Sequence, residues 1–226
     1  GEVWTLRDLL GALLLYSGND AATAIAEYVG GSEEAFVNMM NRRAQELMAN
    51  GTHFMNPHGL HDDNHYTTAY DLYLIFNECI KHEDFVNIIQ SEAYTAYYTD
   101  VDGNSQEALF TPTNLYAQGE VDVPENVTIV GGKTGTTDEA GYCLILMEKD
   151  SSDNPYISIV MGSYRIHKKG HLLSGSPFLF FKHVENTPRW YQVHYLGVLR
   201  FGHGSDSTKK TDQVESTQSD DRVDDT

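Results

Sequence analysis

Gly131-Gly132-Lys133-Thr134-Gly135-Thr136-Thr137 follows the β-rich run Val127-Thr128-Ile129-Val130 and precedes, after a short polar turn, a second run from Tyr142 to Met147. β-Branched and aromatic residues at this density fit the pleated, half-buried surface of a strand. Two glycines before the lysine and one after the threonine let another backbone approach closely. They frame a strand edge that carries one ammonium, on Lys133, and one hydroxyl, on Thr134. Such an edge suits an anionic ligand lying alongside it: the lysine supplies a point charge, the threonine a donor, and free N–H groups can bind a carbonyl. Short tripeptides such as Lys-Thr-Gly recur by chance, so the reading depends on a partner motif elsewhere.

Working outward, strands are expected at 127–133, 142–149 and 156–161, with a turn from Asp150 to Pro155 joining the last two. Short connections of this kind make an antiparallel meander. Upstream, turn chemistry at Asp102-Gly103-Asn104 and a Tyr/Thr-rich run over 93–99 predict an exposed strand or hairpin.

The first ninety residues read as helical. Thr5 with Asp8 three residues on forms a capping box, and Leu6, Leu9, Leu10, Leu13 and Leu14 then recur at helical spacing, predicting one buried face. Tyr16 to Asn19 breaks that helix at a glycine, and Asp20 is expected to cap the next, whose small-residue face is Ala21, Ala22, Ala24, Ile25 and Val29. Ser32 caps a third helix with the stripe Phe36, Met39, Met40, Ala44, Leu47 and Met48, stopped at Asn50-Gly51. Thr68 with Asp71 repeats the capping box ahead of Leu72, Ile75, Phe76 and Cys79, and a shorter helix runs through Phe85, Val86, Ile88 and Ile89. Between the third helix and the one capped by Thr68 lies a polar loop, residues 52–66, with His53, His58, His61, His65, Asp62 and Asp63. This density of imidazoles and carboxylates raises a metal site, but His61 and His65, four residues apart, fall in a polar loop rather than on a helix, and no cysteine is near. We read a structured loop, no metal and no cofactor.

The partner of the Lys-Thr-Gly strand is Ser17-Gly18-Asn19, mounted on the connection between two packed helices. Taken in order with Thr5 to Leu10, Asn56-Pro57-His58-Gly59-Leu60, His65 to Asp71, Thr111-Pro112-Thr113-Asn114-Leu115 and Gly132 to Tyr142, it resembles the active-site serine penicillin-recognising enzymes. Within that group the chain is similar to the D-alanyl-D-alanine carboxypeptidases of bacterial cell-wall metabolism. The resemblance implies an α+β, β-lactamase/transpeptidase-like fold, with a helical cluster packed on an antiparallel sheet. It implies acyl transfer through a serine ester on peptidoglycan pentapeptides ending in D-Ala-D-Ala, with β-lactam antibiotics as further partners. Ser17 would relay protons, Asn19 would hold the substrate's acyl side chain, and the Thr136 N–H would supply half of an oxyanion hole. Lys133 and Thr134 would take the substrate's carboxylate, with Gly135 beside them on the binding strand.

The family's nucleophile motif, Ser-x-x-Lys, should precede Ser17 and is not among these residues. We therefore expect a piece of a longer protein whose N-terminal part is missing, inactive by itself, with apolar faces exposed on the Leu6–Leu14 helix and the three strands. The only literal match, Ser207-Thr208-Lys209-Lys210, sits in a charged tail with no helix to organise it. The expected division is a partial transpeptidase-like domain over 1–162, a divergent segment over 163–202 and an acidic disordered tail over 203–226. The family would close with a helix on the sheet, and no clear helical stripe follows Gly162.

A formal charge of −18 offers no basic patch for phosphates and argues against nucleic-acid partners. No apolar run is long enough to span a bilayer. No basic-then-apolar leader opens the chain, which in a piece of a longer protein is uninformative, and membrane association is left open for the parent protein. An extracytoplasmic location (periplasm or cell surface) is implied by the resemblance alone. Cys79 and Cys143 read as two buried free thiols rather than a bridge. Two other functions compete with the carboxypeptidase. One is a β-lactamase or esterase of the same clan, which would differ in its deacylation machinery. The other is a non-catalytic homologue that holds stem peptides through Lys133 and Thr134.

Overall fold

The computed structural model describes residues 1–163, 178–182 and 192–193. Ser207 to Lys210 and the 203–226 tail lie outside them. Five α-helices come first: α1 (Leu6–Gly11), α2 (Asn19–Gly30), α3 (Glu33–Glu46), α4 (Ala69–Cys79) and α5 (Glu83–Ile89). A hairpin of β1 (Tyr94–Thr99) and β2 (Ser105–Phe110) follows. A five-stranded antiparallel sheet, in the order β3 (Val127–Thr137), β4 (Gly141–Asp150), β5 (Pro155–Ser163), β6 (Phe178–Lys182) and β7 (Gln192–Val193), completes the described fold. The α+β class and the meander are as the sequence predicts. β3 stands at one edge of the sheet.

The N-cap half of each capping box forms, while the Asp8 and Asp71 carboxylates accept from hydroxyls instead. Thr5 accepts from the Asp8 N–H at 3.1 Å, and Thr68 accepts from the Asp71 N–H at 3.1 Å. Each satisfies a donor that the first helical turn would otherwise leave unpaired, worth about 1 kcal/mol. The Asp20 cap does not form: α2 starts at Asn19, two residues earlier, Gly18 occupies the N-cap without a side-chain bond, and Asp20 binds the adjacent Ala21 N–H at 2.9 Å.

The leucine stripe is not the buried face of the first helix. Asp8, Gly11, Ala12 and Leu15 are buried, Leu6 is exposed, and Leu9, Leu10, Leu13 and Leu14 are half-buried. Two causes are visible. The Asp8 carboxylate is drawn inward because it accepts from the Thr5 hydroxyl at 2.5 Å and the Tyr94 hydroxyl at 2.9 Å. After Gly11 the helix continues as a π-helical turn, Ala12–Tyr16, which shifts the angular position of every later side chain. Three further expectations fail for local reasons. Val29, Met39 and Met48 are exposed, whereas Ala26 is fully buried. α3 stops at Glu46, where Met48 takes a left-handed φ of 62°, so Asn50-Gly51 only continues the turn. Cys79 and Cys143 are free, as expected, but half-buried.

The core joins helices to sheet. Tyr73 and Phe76 of α4, Ile89 of α5, and Ile157 and Ile159 of β5 form one buried cluster, with Leu14, Ile145 and Met147 packed against it. Close packing of this kind fixes α5 against β3. A β-carbon at Gly131 would lie 2.2 Å from the Ile89 carbonyl oxygen, so only glycine lets the end of α5 rest on the strand. The expected exposure of apolar strand faces is thus wrong for β5, where Ile157, Ile159 and Val160 are buried.

Candidate active site

Ser17 ends the π-helical turn in the left-handed conformation, with φ 62° and ψ 39°. A non-glycine residue held there is uncommon, and the surroundings hold it in place. The Gly18 N–H donates back to the Ala12 carbonyl at 3.2 Å, and the Gly18 carbonyl accepts from Ala22 at 3.1 Å. The serine is thereby fixed between the turn and α2 and is half-buried.

Lys133 reaches it from β3. Its ammonium donates to Ser17 Oγ and, at 2.6 Å, to the Thr134 carbonyl. Two motifs 116 residues apart are thus joined by one bond. Burial pushes the Lys133 ammonium down to about 8, because taking the charge out of water disfavours it. Of its three hydrogens two are engaged, leaving one for a ligand. Thr134, half-buried, shares a hydrogen bond of 2.5 Å with the hydroxyl of Thr113.

Thr113 is a residue that sequence reasoning left unassigned. It is exposed on the loop between β2 and β3, and its N–H donates to the Leu15 carbonyl at 3.1 Å. The available signal was the likeness of residues 111–115 to the stretch the family places ahead of its Lys-Thr-Gly strand. Only the fold shows the contact. Asn114 beside it is buried, accepts from the Tyr116 N–H at 3.0 Å, and leaves its Nδ2 without a partner among the described residues.

The remaining candidates sit nearby but apart. Asn19 is the first residue of α2 and is exposed, and its side chain has no hydrogen-bond partner among the described residues. Gly135 is exposed on β3 with room around it: a β-carbon there would find only Cys143, at 3.9 Å. Thr136, also exposed, lines a cavity of about 250 Å³ with Thr137, Glu139, Tyr142 and Ser163. Ser17 and Lys133 do not line it.

The histidine loop closes on itself and borders this region. A His53–Tyr66 bridge ties its ends, and Asn41 of α3 exchanges two bonds of 2.8 Å with the Phe54 backbone. Its imidazoles are spent locally: His53 on the Asn64 carbonyl at 2.7 Å, and His65 on the Met55 N–H at 3.3 Å. Glu139 at the β3–β4 turn is held below the usual carboxyl range, first by its own backbone N–H and, less, by the charge of His61.

A helical cluster against an antiparallel sheet, with a serine at a helix end facing a Lys-Thr-Gly edge strand, defines a transpeptidase-like domain. The chain is similar in structure to the Streptomyces K15 DD-transpeptidase, with a TM-score of 0.64 and 29% identity, covering 71% of this chain and 62% of that one. Residues 1–164 match the family model described as D-alanyl-D-alanine carboxypeptidase, and the chain belongs to that family. It is 34% identical over 163 residues to the D-alanyl-D-alanine carboxypeptidase DacF of Bacillus subtilis (strain 168), covering 72% of this chain and 39% of the relative. It is 32% identical over 163 residues to DacD of Escherichia coli (strain K12), covering 72% and 38%. The chain thus spans about two-fifths of the length of these curated relatives.

Proposed function

We propose that the protein is a serine-type D-Ala-D-Ala carboxypeptidase that removes the terminal D-alanine from peptidoglycan stem peptides. The observation that carries this reading is the bond between Lys133 and Ser17, with the Thr134 hydroxyl on the next residue of the same strand. Lys133 attracts the substrate's terminal carboxylate and Thr134 donates to it. Ser17, accepting from Lys133, keeps its own hydroxyl proton for the leaving amine and acts as a proton relay. Asn19 contacts the acyl side chain, Gly135 lies beside the bound peptide, and the Thr136 N–H stabilises the oxyanion.

The serine that is acylated, and its lysine base, belong in this reading to the part of the relatives' length that this chain does not cover. The 226 residues alone then bind but do not hydrolyse, since oxyanion and binding groups retain little catalysis without a nucleophile. In this reading β-lactams acylate the parent, and a cell-wall substrate supports a location outside the cytoplasmic membrane. The test is to express the gene with its upstream coding sequence and to follow D-alanine release and labelling by a fluorescent penicillin. Release that drops roughly 100-fold or more in Lys133→Ala and Ser17→Ala supports the reading. Peptide binding with neither release nor labelling would replace it with the non-catalytic homologue.

A further inference from the structure

The roles above leave the loop between β2 and β3 without one, yet it touches both halves of the site. Thr113 bonds through its N–H to the Leu15 carbonyl, two residues before Ser17, and through its hydroxyl to that of Thr134. Its neighbours hold it still. Pro112 and Asn114 are both buried; the Pro112 carbonyl accepts from Gln118 Nε2 at 2.8 Å and Asn114 Oδ1 from the Tyr116 N–H at 3.0 Å. Thr113 is therefore an exposed side chain on a fixed backbone, a suitable mount for a group whose direction matters.

When two hydroxyls share one hydrogen bond, one donates and the other accepts. If Thr134 donates to Thr113, its only proton is spent. If Thr113 donates to Thr134, the Thr134 proton is free to point away from the strand. A carboxylate accepts only, so it selects the second arrangement. In a chain from Thr113 to Thr134 to carboxylate, each bond also polarises the next. Hydrogen bonds to an ionised acceptor are roughly twice as strong as neutral ones, so this ordering serves an acid more than an uncharged end.

We propose that Thr113 is a positioning residue that turns the Thr134 hydroxyl toward a carboxylate at the ligand's C-terminus. This rests on the reading of Lys133 and Thr134 as the carboxylate site, and it adds a selectivity determinant to that site. The loop serves as a third wall, tying the serine-bearing helix end to the lysine-bearing strand.

The experiment uses the full chain, acetyl-D-Ala-D-Ala, and the same dipeptide with its C-terminus amidated. Binding is read from the backbone NMR signals of Thr134 and Lys133. The wild type is expected to prefer the acid. Thr113→Val keeps the β-branched shape and removes the hydroxyl; it should weaken acid binding about five- to tenfold and amide binding much less. Thr113→Ser should restore the preference, which a purely structural role would not require. A Thr113→Val chain with the wild-type preference overturns the proposal and leaves the carboxylate site standing. Equal loss of acid and amide binding, without rescue by serine, overturns it too. A wild type without preference for the acid removes the carboxylate site itself, and the role of Thr113 with it.

Discussion

A single methyl group at position 131 tests whether the end of α5 sets the position of the lysine. In Gly131→Ala the new carbon would meet the Ile89 carbonyl oxygen at 2.2 Å, its carbonyl carbon at 2.6 Å and the Gln90 nitrogen at 3.1 Å. All three are backbone atoms, so no side chain can rotate away. Reaching ordinary contact at 3.4 Å requires α5 and β3 to separate by roughly 1 Å. Ile89 is 3% exposed and belongs to the central cluster, so that movement disrupts the core rather than a loop. Overpacking against side chains costs about 1–3 kcal/mol, and rigid backbone puts this site at or above the upper end. Lys133 lies two residues along the same strand, and a displacement near 1 Å is enough to cost about 100-fold in a positioned reaction. The assay is urea denaturation of the variant beside Gly135→Ala, whose added carbon has open space. Gly131→Ala should lose about 3 kcal/mol or more while Gly135→Ala stays within about 1 kcal/mol. Equal stability of the two variants would refute the packing argument.

Two predictions concern pH. Lys133 releases its proton near 8 in the fold and near 10.5 when unfolded, so across that window the unfolded chain binds more protons and the fold gains stability as pH rises. The wild type should therefore gain on Lys133→Met between about pH 8 and 10.5; a flat or falling difference in urea midpoints would contradict the burial of the charge. Asp150 is pulled down to about 2, first by the Asn154 side chain and then by the Asn154 N–H, with Ser152 and Tyr156 adding smaller bonds. Its contribution is complete above the ordinary value of 3.8 and disappears as pH falls through 2, so the advantage of wild type over Asp150→Asn should shrink over that range. An advantage that persists at the acid end would mean the carboxylate is not what holds the 150–154 turn.

What was legible in the chain depended on the range of the interaction that decides it. The Thr5–Asp8 and Thr68–Asp71 caps span three residues, involve their own backbone, and form as read. The three long strands were recognisable because β-branched runs separated by a polar turn have few alternatives. The leucine stripe misled because a count of residues assumes a constant angle per residue, and the π-helical turn breaks that assumption after Gly11. Asp8 then outcompeted Leu6 for the interior because Tyr94, 86 residues away, supplies its hydrogen bond. The Ser17–Lys133 pair was found only through the order of motifs, since nothing local to either residue points to the other. Thr113 escaped for the same reason: its significance lies in Leu15 and Thr134, both brought to it by the fold.

The π-helical turn also bears on how this site tolerates insertion and deletion. A residue added to or removed from an α-helix rotates everything beyond it by about 100° and moves it by about 1.5 Å. Ala12–Tyr16 already contains such an offset, absorbed within one turn and closed by the bond from Gly18 to Ala12. Removing one residue from 12–16 would let the segment relax to a regular helix at little cost in hydrogen bonds. It would also rotate Ser17 away from the lysine. The phase of the winding, rather than the identity of its side chains, aims the serine. Two homologous sequences could then share every residue of the Ser17 and Lys133 motifs and still differ in function by one position in the turn before them.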